Sequence, residues 1–173
     1  MSANVIRSVS RRGFILGSGG GAAVLATGFA ALTPPAQAAD EPLAAYNRLL
    51  DRYVAAVNAH DTGPFPEIFT EAYIQHSGRS PSGLQAQIAN FQRVFENWPD
   101  FQSRIEDRIF GGERIVARVT FSGTHSKTVL GFAPTGRKIT WGGIDIWRVE
   151  NGKLAEHWDM VDVASLQKQL RGD

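Results

Sequence analysis

Asp145, His157, Asp159 and Asp162 fall within eighteen residues of otherwise mostly apolar, strand-forming sequence late in the chain. Charged side chains in such a stretch are costly unless they are paired, hydrated or used. A carboxylate set in a largely apolar pocket with an imidazole beside it can take up and return a proton, which general acid–base chemistry at carbon requires. A solvated strand face would carry the same residues with no chemistry, and spacing alone leaves both readings open. Three further histidines, His60, His76 and His125, come earlier. His60 follows the first helical segment and reads as a helix-end residue. No histidine pair has the close spacing of a zinc site, so no metal is expected, although His76, His125, His157 and Asp159 could still converge in space. Nucleophile-elbow, phosphate-loop and dinucleotide motifs are missing as well, which removes the usual marks of acyl, phosphoryl and hydride transfer. No cofactor is expected.

The hairpin that carries the cluster has two possible registers. A three-residue loop at Glu150-Asn151-Gly152 pairs Val149 with Lys153 and Asp145 with His157, which puts Asp145, His157 and Asp159 on one face beside Trp147, Gly143 and Ala155. A two-residue Asn151-Gly152 loop slips the register by one and takes Asp145 off that face. The three-residue loop is the expected one, because it gathers the polar residues on one side and Ile144, Ile146, Trp158 and Met160 on the other.

The elements that must position these residues are legible from periodicity. Leu43, Tyr46, Leu50, Tyr53 or Val54, and Val57 recur at helical spacing, with Asp40 as the expected N-cap and Pro42 in the first turn. A short helix is expected over 64–69, extended chain over 73–76 and a turn-rich stretch over 78–83. Leu84, Ile88, Phe91 and Phe95 predict a helix over 83–97, closed by Trp98-Pro99. Beyond Pro99 the period becomes two, predicting strands near 101–110, 114–125, 138–150 and 153–161 and a short last helix or turn over 164–170. Helices first and an antiparallel sheet after them argue an α+β layer with the helices on one face.

Residues 1–38 read as a targeting segment: the Arg11-Arg12 pair, a mildly apolar Gly/Ala-rich stretch and an Ala36-Gln37-Ala38 cleavage pattern. Left uncleaved, the same segment would be an anchor; cleavage and export by the twin-arginine route, to the periplasm or outside, are the expectation. Residues 39–173 then form one domain. Removing the signal takes three arginines and no acid from a chain of net charge +1, leaving −2. No basic run remains, so neither nucleic acid nor a membrane is an expected partner. With no cysteine in the chain, the core must hold without disulfides.

Tyr73-Ile74-Gln75-His76, Gly123-Thr124-His125, the run from Leu130 to Lys138, Gly143 to Arg148 and Asn151 to Asp159 together resemble the SnoaL-like polyketide cyclases, also called ester cyclases, of the nuclear transport factor two-like superfamily. The resemblance implies a cone-shaped, curved antiparallel sheet wrapped around N-terminal helices, a small-molecule pocket and a homodimer or larger homo-oligomer. It also implies an aldol-type ring closure in which one aspartate serves as acid and base without metal. On the His157-Trp158-Asp159 motif that aspartate is Asp159; Asp145 stands where those cyclases carry a histidine. The expected function is therefore an exported acid–base enzyme acting on a small, mostly apolar carbonyl compound. Asp159 is its catalytic acid/base, with His157 and Asp145 as tuning partners and Gln75, His76, His125 and Trp147 as substrate-binding groups. The alternatives are a protein that binds a small ligand in the same pocket without reaction, and an interaction module using the apolar face of Ile144, Ile146, Trp158 and Met160.

Overall fold

The structure, a computed structural model, describes residues 36–172, with side chains from Glu41 onward. The expected signal lies outside the described residues apart from the backbone of its last three positions. Helix α1 (Ala36–Asn58) is followed by α2 (Phe65–Ile68), β1 (Phe69–Gln75), α3 (Leu84–Asn97), β2 (Gln102–Gly111), β3 (Arg114–Thr124), β4 (Lys138–Glu150), β5 (Lys153–Val161) and α4 (Val163–Arg171). α1 starts ahead of the Asp40 cap expected from sequence, because the alanine-rich segment before it is itself strongly helix-forming. Pro42 consequently lies inside the helix rather than in its first turn. Among the described residues no helix is long and apolar enough to cross a membrane.

The five strands form one sheet in the order β1-β5-β4-β3-β2. β2 to β5 are antiparallel neighbours, whereas β1 adds to β5 in parallel, so the sheet is mixed and not wholly antiparallel. β1 and β2 form its two edges, and the sheet is not closed into a barrel. The α+β class is the expected one.

Alternation in the strands sorts the side chains. Ile115, Ala117 and Val119 of β3, Ile139, Trp141, Trp147 and Val149 of β4 and Leu154 of β5 are buried. They join Leu49, Leu50, Tyr53 and Val57 of α1, Phe65 and Ile68 of α2, and Leu84 and Phe91 of α3 in one core. α4 is capped by Asp162, whose Oδ1 accepts from Ser165 N–H at 2.9 Å, and ends on Gly172 in the left-handed conformation. Asp162 thus has a structural task and stands apart from the chemistry.

Asp100, in the turn before β2, clips strand ends together. Its carboxylate accepts from the Thr124 N–H and hydroxyl, both at 2.7 Å, and from Lys138 Nζ at 2.9 Å. The Lys138 contact first, and the Thr124 N–H next, hold this carboxyl well below the usual range. A depressed folded-state value contributes stability above the unfolded value of about 3.9, and that contribution is lost as pH falls through the folded value. Because the side chain is 45% exposed, Asp100→Asn should cost only about 0.5–1 kcal/mol at neutral pH. The gap between the two proteins in urea unfolding should begin to narrow below about pH 4 and shrink further as the pH is lowered.

Gly123 of β3 lies under Trp98. A Cβ there would sit 2.8 Å from Trp98 Cε3, and the ring is buried against Trp141. Gly123→Ala should therefore lower the unfolding free energy by about 1–3 kcal/mol, read from the urea midpoint.

Candidate active site

The β4–β5 hairpin turns on Asn151 and Gly152, at φ 50° and 75°, a two-residue turn that pairs Glu150 with Lys153. The three-residue loop expected from sequence is not the one used. Val149 pairs with Leu154, but Arg148 pairs with Glu156, so Ala155 is an extra residue in β5. From there on Trp147 faces His157 and Asp145 faces Asp159. The pairing Asp145–His157 is thus corrected to Asp145–Asp159, while the bulge puts Asp145, His157 and Asp159 on one face after all. Ile144 and Met160 point the other way and are exposed.

On the inner face a cavity of about 290 Å³ opens between sheet and helices. Tyr53, Phe91, Trp98, Phe101, Phe121 and Trp141 give it aromatic walls, and Gln75, Arg79, Gln87, Asn90, Asp145, His157 and Asp159 supply polar groups. Its size and mixed lining suit a small organic molecule.

The polar groups form a chain. Gln75 Nε2 donates to His157 Nδ1 at 3.0 Å, and His157 Nε2 lies 3.1 Å from Asp145 Oδ1. The side chains of His157 and Asp145 are only 8% and 7% exposed. Trp147 stacks on the His157 ring, centroids 5.2 Å apart and planes 11° apart, which fixes the ring's tilt. Asp159, 10% exposed, is paired through Oδ2 with Arg79 from the turn after β1, while its Oδ1 is buried without a partner. Burial first, then the charges of Asp145 and Asp159, push the Tyr53 phenol up, so it stays protonated and remains a donor.

Among the residues expected to bind substrate, only Gln75 lines the cavity. His76 follows it and points outward, where it bonds Glu156 at 2.8 Å and stacks on Trp158 at 4.3 Å. The reason is parity: Gln75 is level with His157 in the parallel β1–β5 pair, so its neighbour in sequence must face the other side. His125 is fully buried beyond the cavity wall, its Nδ1 3.1 Å from Thr135 Oγ1. Trp147 supports His157 from behind and does not line the cavity. His60 closes α1 at φ 57° and stacks on Phe95. Sequence reasoning missed Tyr53 and Arg79. Tyr53 sits on the buried face of α1 and reads as core; Arg79 sits in a turn whose only sequence signal is a cation between glycines.

Asp145, His157 and Asp159 each bring a ligand atom within 4.8 Å of the others, a spread that a metal ion could use. Both ring nitrogens of His157 are already committed, to Gln75 and Asp145, and Asp159 Oδ2 to Arg79, which leaves Asp159 Oδ1 open. A cation held by all three residues would have to displace one partner of His157.

The family model described as SnoaL-like polyketide cyclase matches residues 47–170, the span that holds every element of this site. The chain belongs to that family. TsrD from Streptomyces laurentii is 30% identical with a TM-score of 0.69, over 73% of this chain and 95% of its own. AclR from Streptomyces galilaeus, a proposed hydroxylase, is 23% identical with a TM-score of 0.65, over 72% and 83%. A SnoaL-like polyketide cyclase from Agrobacterium tumefaciens is 20% identical with a TM-score of 0.65, over 72% and 96%, and shares the fold. No curated protein matches the chain. Membership of the SnoaL-like family supports a small-molecule role of cyclase or isomerase type.

Asp145→Ala would leave the buried His157 without its acceptor and should cost about 1–3 kcal/mol in urea unfolding. Asp145→Asn keeps an oxygen for that bond and should cost roughly half of this or less.

Proposed function

We propose that the protein is an exported acid–base catalyst that removes a proton from the carbon beside a carbonyl of a small, mostly apolar compound and returns it, with no metal. The observation that carries this reading is Asp159: a nine-tenths buried carboxylate with one free oxygen, on the wall of an aromatic cavity and next to the His157–Asp145 pair. In the proposed step Asp159 accepts the carbon-bound proton. The electron pair of the C–H bond moves to the carbonyl oxygen, where the Tyr53 phenol donates a hydrogen bond to the enolate. Attack of that enolate on a second carbonyl within the same molecule, followed by reprotonation, would be a cyclisation; return of the proton to another carbon would be an isomerisation.

The twin-arginine segment supports export, and the exposed apolar side chains Ile144 and Met160, 40% and 75% accessible, support pairing of two copies through the outer sheet face. One observation favours a second reading. Arg79 already occupies one oxygen of Asp159 at the cavity wall, an arrangement that suits a protein that binds a ligand and leaves it unchanged.

Solvent exchange separates the two. In D2O, α-tetralone and a cyclic β-keto ester should take up deuterium at the α-carbon faster with the protein than in buffer, followed by NMR. Asp159→Asn should lower that rate by about 10²–10⁴-fold while the melting curve stays cooperative. Ligands that raise the melting temperature without any exchange above buffer would make the protein a carrier.

A further inference from the structure

The amide of Gln75 is held from both ends. Its Oε1 accepts the Ser77 N–H at 3.2 Å, so the group facing His157 Nδ1 at 3.0 Å is the NH2, a donor only. A ring nitrogen that receives a hydrogen bond carries no proton, and a neutral imidazole then carries its proton on the other nitrogen. That other nitrogen, Nε2, lies 3.1 Å from Asp145 Oδ1, an acceptor that suits an N–H.

We infer that Gln75 is a positioning residue that locks His157 in the Nε2–H tautomer, with Nδ1 accepting from Gln75 and Nε2 donating to Asp145. Moving the proton to Nδ1 would set an N–H against the Gln75 NH2 and leave Asp145 Oδ1 without its donor, in a site only 8% exposed. Turning the amide over would free Nδ1 but would set Gln75 Nε2 against the Ser77 N–H, so the main chain of the turn enforces the orientation. The same residue anchors that turn a second time, since Gln75 N–H donates to Ser82 Oγ at 3.1 Å. With Trp147 stacked on the ring, His157 and Asp145 form a fixed polar wall whose dipole points at Asp145.

The inference deepens the proposed acid–base reading by fixing the state of the group beside Asp159, and its test does not need turnover. In the protein labelled with ¹⁵N-histidine, long-range proton–nitrogen correlation spectra at neutral pH should give His157 a pyridine-like Nδ1 and a pyrrole-like Nε2. In Gln75→Glu the carboxylate accepts from Nδ1, and that resonance should move to the pyrrole-like position with both nitrogens protonated. A wild-type His157 with its proton on Nδ1, or on both nitrogens, would overturn the proposal. So would a Gln75→Glu protein that folds and keeps the wild-type tautomer. Should Gln75→Glu not fold, the wild-type spectrum decides alone. If the lock is found but Asp159→Asn still exchanges deuterium at the full rate, the acid–base reading of Asp159 fails and the lock stands.

Discussion

An uninterrupted ladder from the Asn151-Gly152 turn would pair Asp145 with Trp158 and send His157 and Asp159 to the opposite face of the sheet. The extra residue Ala155 prevents this. It leaves two consecutive side chains of β5, Leu154 and Ala155, both buried, and from Glu156 onward the parity of the strand is reversed. The turn therefore keeps its favourable Asn-Gly chemistry, with both central residues in the left-handed region, and the site still receives its three polar groups on one face. Every later feature of the cavity, from the stacking of Trp147 on His157 to the reach of Arg79, depends on this single offset.

Bringing two carboxylates level across an antiparallel pair is unfavourable in itself, since like charges directly opposite repel. The surroundings of Asp145 and Asp159 offset it by giving each a different partner. Asp145 receives the His157 ring, and Asp159 receives the Arg79 guanidinium from a turn far away in sequence. The two pairings are unequal in kind. The first joins buried partners on rigid strands; the second joins a buried carboxylate to a half-exposed cation on a turn. A rigid partner keeps the Asp145 side chain in place, whereas Arg79 can leave without disturbing a strand.

Periodicity made the fold legible. The faces of α1 and α3, the four long strands and the Asn-Gly hairpin all follow from local patterns, because core burial imposes periods of 3.6 and two directly on the sequence. The site was legible in part. Asp145, His157 and Asp159 stood out as polar residues in an apolar hairpin, yet their register was misjudged because a bulge at an alanine leaves no mark in the sequence. The assignment of His76 to the pocket failed for a related reason. Which of Gln75 and His76 faces inward is set by the parallel pairing of β1 with β5, a contact between segments some eighty residues apart. Tyr53 and Arg79 reach the cavity only through tertiary packing, and no short motif announces them.

The anchoring of Gln75 ties these parts together. One side chain fixes the orientation of His157, and the same residue's amide oxygen and backbone N–H hold Ser77 and Ser82, at the two ends of the turn that carries Arg79. The left-handed glycines Gly78 and Gly83 let the chain fold back over Gln75 so that both bonds can form. Any ligand that engages the free oxygen of Asp159 must share the carboxylate with Arg79 or displace it. Displacement moves a side chain on a turn pinned at its base, so Asp159 can exchange its partner while Gln75, His157 and Asp145 stay where they are. A site built this way separates the group that a ligand can reach from the groups that hold it in place.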